Sequence, residues 1–400
     1  MGGSYLKLKT KGAQDEFLTG DGNLNFFTKK YEKYRDFAIQ REKLYFNENV
    51  DFGKKITINV PKQADLLHDC YFCFKLPALT YTNGSYAGWT NSIGHYIIDT
   101  IDLEIENQLI SRYYGLYMEI WEELNGENPN ENQQIGKYGN IQNLEASGLI
   151  PTDYVVKLPF WFCKGIHTAL PLVSLFYQQV KISIKLKPFT QCVIHDGSLP
   201  PSTVKISEGY LLADYIFLDE PSRIMMKSTT QDILIEQIQY KDSRGSDNLS
   251  SSGVFRSDLP FNHPVKEILW VFIEDLSISN NDGFNFSNRN VTPFTKVVSL
   301  MKNAKLVIDG KDYIDTKDEL IYRLVNTHKN KTDRHIFTLS FCKDPESWEP
   351  NGSLNFSRID NPELIGDMNV PTPYNSMYIF ARNHNWLSFY NGLCSLKFIA

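Results

Sequence analysis

The chain has 400 residues, a net charge of −6, a pI near 5.8 and 13 % aromatic residues, with 25 Phe and 22 Tyr. That length exceeds a typical single core, so about two domains are expected. An acidic chain lacks the broad basic face that grips nucleic acid, and no direct nucleic-acid partner is expected. There is no run of about 18 apolar residues to span a bilayer. The opening MGGSYLKLKTKGAQDEF lacks the apolar centre of a secretory signal, and Leu6 stands where a myristoylation pattern wants Ser or Thr.

Strand-like runs separated by Gly, Pro and Asn follow in chain order. Lys55–Val60 (KITINV) and Asp69–Leu76 (DCYFCFKL) come first. The stretch Trp89–Leu124 changes period within itself. Ile101, Leu103 and Ile105 alternate with Thr100, Asp102, Glu104 and Glu106, which is a strand with one wet face. Leu116, Ile120 and Leu124 then recur at helical spacing beside Tyr117 and Trp121, so a helix is expected over Tyr114–Leu124. Gln179–Leu186 alternates again, with Val180, Ile182, Ile184 and Leu186 opposite Lys181, Ser183 and Lys185, and Val204–Leu218 is a longer β-rich run. A second helix is expected at Pro221–Lys227. A second set of strands reads Asp232–Gln239, Val265–Phe272, Val297–Ile308, His335–Phe341, Met377–Ala381 and Leu393–Ile399. Three polar stretches, Asn125–Gly148, Asp242–Asp258 and Ser277–Pro293, carry no period and read as long loops. The pattern is that of a mainly antiparallel β protein divided near Leu212–Ser222, with no short repeat.

No constellation of reactive residues stands out. The six cysteines (Cys70, Cys73, Cys163, Cys192, Cys342, Cys394) are scattered, mostly in apolar runs, and read as buried free thiols. Cys70 and Cys73, with His68 nearby, form a lone C-x-x-C with no second pair at zinc spacing. His328 and His335 flank the charged turn KNKTD and read as solvated, and His167 has no carboxylate near it in sequence. Glu104 and Glu106 share a strand face, conceivable as a hydrolase pair but simpler as a wet face. Phosphate-loop, dinucleotide, serine-hydrolase and zinc-protease motifs are all missing. No catalytic, cofactor-binding or metal-ligating residue is therefore assigned. Seven sequons lie at Asn83, Asn248, Asn285, Asn290, Asn330, Asn351 and Asn355, which an Asn- and Ser-rich chain produces by chance. Trp121, Trp161, Phe160, Trp270 and Phe356 are the expected packing anchors.

Several segments in order resemble a known family. They are Gly12–Ala38 (GAQDEFLTGDGNLNFFTKKYEKYRDFA), Trp89–Leu124, Leu158–Ile184, Leu211–Gln239, Phe261–Phe272 (FNHPVKEILWVF) and Asn351–Leu364 (NGSLNFSRIDNPEL). Together they are similar to the major capsid proteins of the nucleocytoplasmic large DNA viruses. The resemblance implies an all-β chain of two consecutive eight-stranded jelly-roll sandwiches with a few short helices. It implies an N-terminal arm over 1–20, a first roll over 21–215 and a second over 216–400. It further implies homotrimers forming pseudo-hexameric capsomers, an icosahedral shell assembled in host cytoplasm, no enzymatic activity, and surface-loop glycosylation in some members. Neighbouring capsomers and minor capsid proteins are the implied partners, together with an inner membrane met through the arm, where Lys7, Lys9 and Lys11 alternate with Leu6, Leu8 and Thr10. Two alternatives stand beside it: a β-sandwich carbohydrate-binding or glycoside-processing protein, and a minor capsid or scaffold protein of the same fold.

Overall fold

A computed structural model describes residues 35–80, 84–126, 131–198, 204–243, 253–287, 299–325, 328–330, 332, 334–369 and 375–399. The expected arm, with Lys7, Lys9 and Lys11, lies outside the described residues.

Eight principal strands fall between residues 37 and 218: Phe37–Leu44, Lys55–Asn59, Leu66–Leu76, Ile98–Ile105, Gln108–Tyr114, Thr152–Lys157, Val180–Leu186 and Glu208–Leu218. One antiparallel sheet holds the first, eighth, third and sixth of these side by side, and a facing sheet holds the second, seventh, fourth and fifth. A further eight run from residue 231 to 390: Gln231–Ser243, Val254–Asp258, Pro264–Glu274, Met301–Ile308, Lys311–Asp318, Phe337–Ser340, Glu363–Met368 and Asn375–Tyr390. They repeat the same spatial order, with short strands at Leu354–Asn355 and Leu393–Leu396 added to one sheet. In each set the first and last strands, distant in sequence, lie side by side, which is the jelly roll, present in duplicate. Among the described residues no hydrogen-bonded sheet mixes strands of the two sets.

Alternation explains most of the elements. In Val180–Leu186 the four aliphatic positions are buried, while Lys181 and Lys185 reach Glu104 and Asp99 at 3.1 and 2.6 Å. Several sequence expectations are corrected. The single strand expected before the helix is a hairpin: Glu106 and Asn107 adopt left-handed backbone (φ 46° and 63°), turning Ile98–Ile105 back into Gln108–Tyr114. Glu106 therefore sits in the turn, accepting from the Gln179 amide at 3.1 Å, and does not share a face with Glu104. The helix spans Gly115–Asn125, and the second helix spans Glu220–Ser228, capped by Asp219, whose carboxylate accepts from the Ser222 amide. The loop Asn125–Gly148 contains helical turns at Glu131–Gln134 and Ile141–Glu145, the latter capped by Asn140. The stretch from Ser277 begins inside the short helix Asp275–Ser279, and the stretch to Asp258 ends in strand Val254–Asp258.

The second roll encloses its own core. Trp270 and Phe337 meet there with their rings tilted by 32° and their centres 5.8 Å apart, beside Phe272, Leu306 and Ile379. The sheet of Gln231–Ser243, Asn375–Tyr390, Pro264–Glu274 and Phe337–Ser340 has a second dry face. Ile268, Trp270 and Phe272 point into the second roll, whereas Leu269, Val271 and Ile273 join the core of the first. Tyr378 and Phe380 face the first roll, and Ile379 and Ala381 face the second. Every residue from Val265 to Ile273 is consequently buried. A strand covered on both faces reads as a continuous apolar run, as this one does.

Candidate functional site: the junction between the barrels

The shared sheet is a wall between the two barrels, and its upper part is charged. On strand Asn375–Tyr390 the side facing the first barrel continues Tyr378, Phe380, Arg382, His384. On the neighbouring strand the register skips from Val265 to Glu267 opposite Asn383 and Arg382. This bulge breaks the alternation, and Lys266 and Glu267 both turn into the interior. Arg382 is fully buried. Its Nη1 donates to Glu267 and its Nη2 to Glu236 Oε2 at 2.9 Å. Lys266 Nζ donates to Glu236 Oε1 at 2.6 Å and to the Ser347 carbonyl at 2.9 Å. Across the junction, Lys164 of the first barrel donates to Glu236, and Trp121 lays its ring 4.1 Å from the Arg382 guanidinium carbon.

Charge in a dry interior is tolerated only when paired and hydrogen-bonded. Burial alone would raise the Glu267 carboxyl, but Arg382 and the bond to His328 outweigh it and hold it at about 2. Glu236 is likewise held well below the usual range, because Lys164, Arg382 and Lys266 outweigh its burial. His384 is pushed down to about 4 by burial and then by Lys266.

The helix Gly115–Asn125 carries the first barrel's half of the junction. Glu119, fully buried, sits 3.0 Å from each of Ser92 Oγ, His95 Nδ1 and Arg334 Nη1, the last from the second barrel. Burial would raise it, yet the bond from His95 and the charges of Lys137 and Arg334 hold it at about 2. One turn on, Glu123 pairs with Arg334 Nε at 2.8 Å. The last carbonyls of a helix need partners from outside it. Here Asn330 of the second barrel supplies them, its amide donating to Leu124 O at 2.9 Å and its Nδ2 to Gly126 O at 2.8 Å. His328 completes the clasp, 2.8 Å from Glu267 Oε2 and 3.0 Å from Asn125 Oδ1. His328 and His335 are thus buried, not solvated as their charged turn suggests; the partners of His328 lie 61 and 203 residues away in sequence. Elsewhere along the seam, Asn281 donates to the Thr190 and Val193 carbonyls, and Tyr96 meets Phe284 edge to face at 5.0 Å.

Of the expected anchors, Phe160, Trp161, Trp270 and Phe356 are buried, whereas Trp121 is half-buried because its ring roofs the charged cluster. All six cysteines are buried and unbridged; Cys70 lies against Cys163 inside the first barrel, and Cys73 projects from the same strand on the opposite side. His68 is bonded to the Phe162 carbonyl and His167 packs on Trp348. Among the described residues no group of three or more His, Cys, Asp or Glu could hold a metal ion. Sequence reasoning missed Lys164, Glu236, Lys266, Glu267, Arg334 and Arg382. The available signal was Lys-Glu inside VKEILWVF and Arg382 inside an otherwise apolar strand.

A cleft of about 690 Å³ opens beside the junction, lined in part by Tyr71, Tyr117, Trp121, Phe160 and Lys164. Its cations are engaged: Arg41 with Asp214, Lys157 with Asp69, Lys329 with Glu346. Within it Arg382 lies over the Trp121 ring and Tyr117 stacks beside it.

The duplicated strand order and the wall define a double jelly roll, and solved structures share it. Chains of the PBCV-1 virus capsid superpose with a TM-score of 0.79 at 22 % identity, covering 94 % of this chain and 100 % of that one. The Faustovirus major capsid protein gives 0.76 at 12 % identity, covering 95 % of each. In sequence, residues 25–219 match the family described as major capsid protein N-terminus, and residues 222–395 match large eukaryotic DNA virus major capsid protein. The major capsid protein of Pyramimonas orientalis virus is 28 % identical, with each chain covered completely. Capsid protein 1 of Acanthamoeba polyphaga mimivirus is 31 % identical over 68 % of this chain and 49 % of its own length. The chain belongs to the major capsid proteins of large eukaryotic DNA viruses.

Proposed function

We propose that this chain acts by assembly: three copies form a pseudo-hexameric capsomer, and capsomers tile an icosahedral shell put together in the host cytoplasm. The observation that carries this is the two-faced wall. It fixes two barrels of the same topology at one mutual orientation through a buried core and a buried ionic cluster. Three such rigid pairs approximate sixfold symmetry, and rings of that shape extend into a lattice through edge contacts. Interfaces of this kind bury on the order of 2,000 Å² or more. No bond-making step is part of the proposal, so the chain is not an enzyme and needs no cofactor. An arm over 1–20, a first roll over 21–215 and a second over 216–400 remain its working divisions. Glu208–Leu218 closing the first sheet and Glu220–Ser228 leading away support a crossover near that point. Neighbouring capsomers, minor capsid proteins and an inner membrane are the proposed partners.

Light scattering on the purified chain tests this. Three chains of 46.1 kDa give about 138 kDa. A stable trimer of that mass is expected; a monomer at micromolar concentration refutes the capsomer reading.

A further inference from the structure

Two thiols that the junction does not use lie together inside the first barrel. Cys70 stands in the middle of strand Leu66–Leu76, packed in the core and 0 % exposed. Cys163 ends the single 3-10 turn Trp161–Cys163, about 90 residues further along the chain. Both sulfurs point at one atom, the His68 carbonyl oxygen, which lies 3.7 Å from Cys70 Sγ and 3.5 Å from Cys163 Sγ. They are also within hydrogen-bonding reach of each other. The backbone holds this approach from two sides. The Leu158 amide donates to the Cys70 carbonyl at 2.9 Å, and His68 Nδ1 lies 2.6 Å from the Phe162 carbonyl oxygen. Cys73, three residues along the same strand, instead has Tyr210 and Lys43 as its neighbours.

The two sulfurs are not equally accessible. Cys163 borders the cleft beside the junction, and Cys70 lies behind it. The hydrogen bond with Cys163 and then burial push the Cys70 thiol well above its usual range. A thiol kept protonated in this way is a poor nucleophile toward an oxidant arriving from solvent. Any such oxidant therefore meets Cys163 first, with a second thiol waiting against it.

We propose that Cys70 and Cys163 are an oxidisable pair, reduced when the chain folds and closed to a disulfide by peroxide that enters through the cleft. The Cys163 sulfur attacks one oxygen of hydrogen peroxide. The O–O bond breaks, the thiol proton leaves with the other oxygen as water, and Cys163 becomes a sulfenic acid. Cys70 then attacks the Cys163 sulfur. The S–O bond breaks, the departing hydroxide takes the Cys70 proton as a second water, and the S–S bond remains. Two thiols lose two electrons, and one peroxide is reduced to two waters. The second step is unimolecular, and that proximity offsets the weak nucleophilicity of Cys70. A disulfide needs its sulfurs about 2 Å apart, and the closing movement falls on Cys163, which ends a short turn and is in no sheet ladder. The bond ties strand Leu66–Leu76 to the turn before Lys164, the residue that reaches Glu236 across the junction. Its timing rests on the capsid reading, because cytosolic thiols are kept reduced and disulfides persist on released particles.

Millimolar hydrogen peroxide on the purified full-length chain, first reduced and then freed of reductant, tests this. Denaturation in iodoacetamide should add six alkyl groups before treatment and two fewer after it. Trypsin should then release Gln63–Lys75 joined to Leu158–Lys164, with Cys73 alkylated. Cys73→Ser should keep that link. Cys70→Ser should stop at the sulfenic acid on Cys163, which dimedone traps. The closed wild-type chain should have a higher denaturant midpoint than the reduced one, and Cys163→Ser should abolish the difference. Six alkylated thiols after treatment, a link through Cys73, or Cys163 carried to the sulfinic acid in wild type each overturn the proposal. The link is read on the chain whatever its oligomeric state, so its failure leaves the capsid reading standing, and a chain that forms no trimer overturns that reading and the timing alone.

Discussion

Replacing Arg382 with Met tests the junction most directly. The side chain is 0 % exposed, bonds both Glu236 and Glu267, and lies against Trp121. Methionine fills much of the volume but leaves two carboxylates facing each other in a dry site, with Lys266 and Lys164 as the remaining counter-charges. Removing one partner of a buried pair costs roughly 3–5 kcal/mol, mostly the penalty of the charge left behind. At about 2–4 °C per kcal/mol for a unit of one barrel's size, the melting temperature should fall by roughly 6–20 °C. The loss should be non-additive with Glu267→Gln. Neutralising Glu267 removes one of the stranded charges, so the double variant should recover at least about 1 kcal/mol relative to the sum of the singles. Denaturant midpoints of the four proteins in the cycle give the coupling. If Arg382→Met costs under about 1 kcal/mol, or the two changes simply add, the cluster is not what joins the barrels.

Acid should loosen the same junction. Glu119 and Glu267 are held at about 2, below their unfolded value near 4.5, so their contribution is complete above about pH 4.5 and is lost as pH falls toward 2. Each is on the order of 3 kcal/mol. His384, pushed down to about 4 by burial and Lys266, removes stability as pH falls from 6.5 to 4. Asp282, raised to about 6 by its burial, opposes it, adding stability as pH drops from about 6 toward 4. The steep loss therefore belongs below about pH 4.5 and should flatten in Glu267→Gln; denaturant midpoints that stay constant down to about pH 3 would contradict this. Trp270→Ala, at the centre of the second core beside Tyr322 and Phe337, should cost about 3–5 kcal/mol by thermal melt. Trp121→Ala should cost less, about 2–3 kcal/mol, since the ring is half-buried and its main task is covering Arg382; a larger drop than that of Trp270→Ala would reverse the assignment.

Much of the fold was legible because alternation survives wherever a strand has one wet face. Val180–Leu186 could be read residue by residue, and so could Ile101, Leu103 and Ile105. The resemblance supplied the doubling of the jelly roll. The Glu106–Asn107 turn escaped because neither residue is glycine, yet both adopt left-handed backbone. The wall escaped for a different reason. A run such as Val265 to Ile273 announces a buried strand, but not that its two faces belong to different barrels. The charged cluster was hidden most deeply. His328 looks solvated beside KNKTD, and only the fold brings Glu267 and Asn125 to its ring nitrogens. Glu119 and Glu123 look like the wet side of an amphipathic helix until Arg334 arrives from more than 200 residues away.

The central strand of the wall, Asn375–Tyr390, comes far behind the first barrel in chain order, yet it pairs with both Gln231–Ser243 and Pro264–Glu274. At about 5–20 residues per second, the first barrel waits many seconds for the surface that will cover Tyr114, Tyr117 and Leu124. During that interval its greasy flank is open to other nascent copies. Strand order thus sets how long that flank stays open, and a chain lacking Asn375–Tyr390 should precipitate.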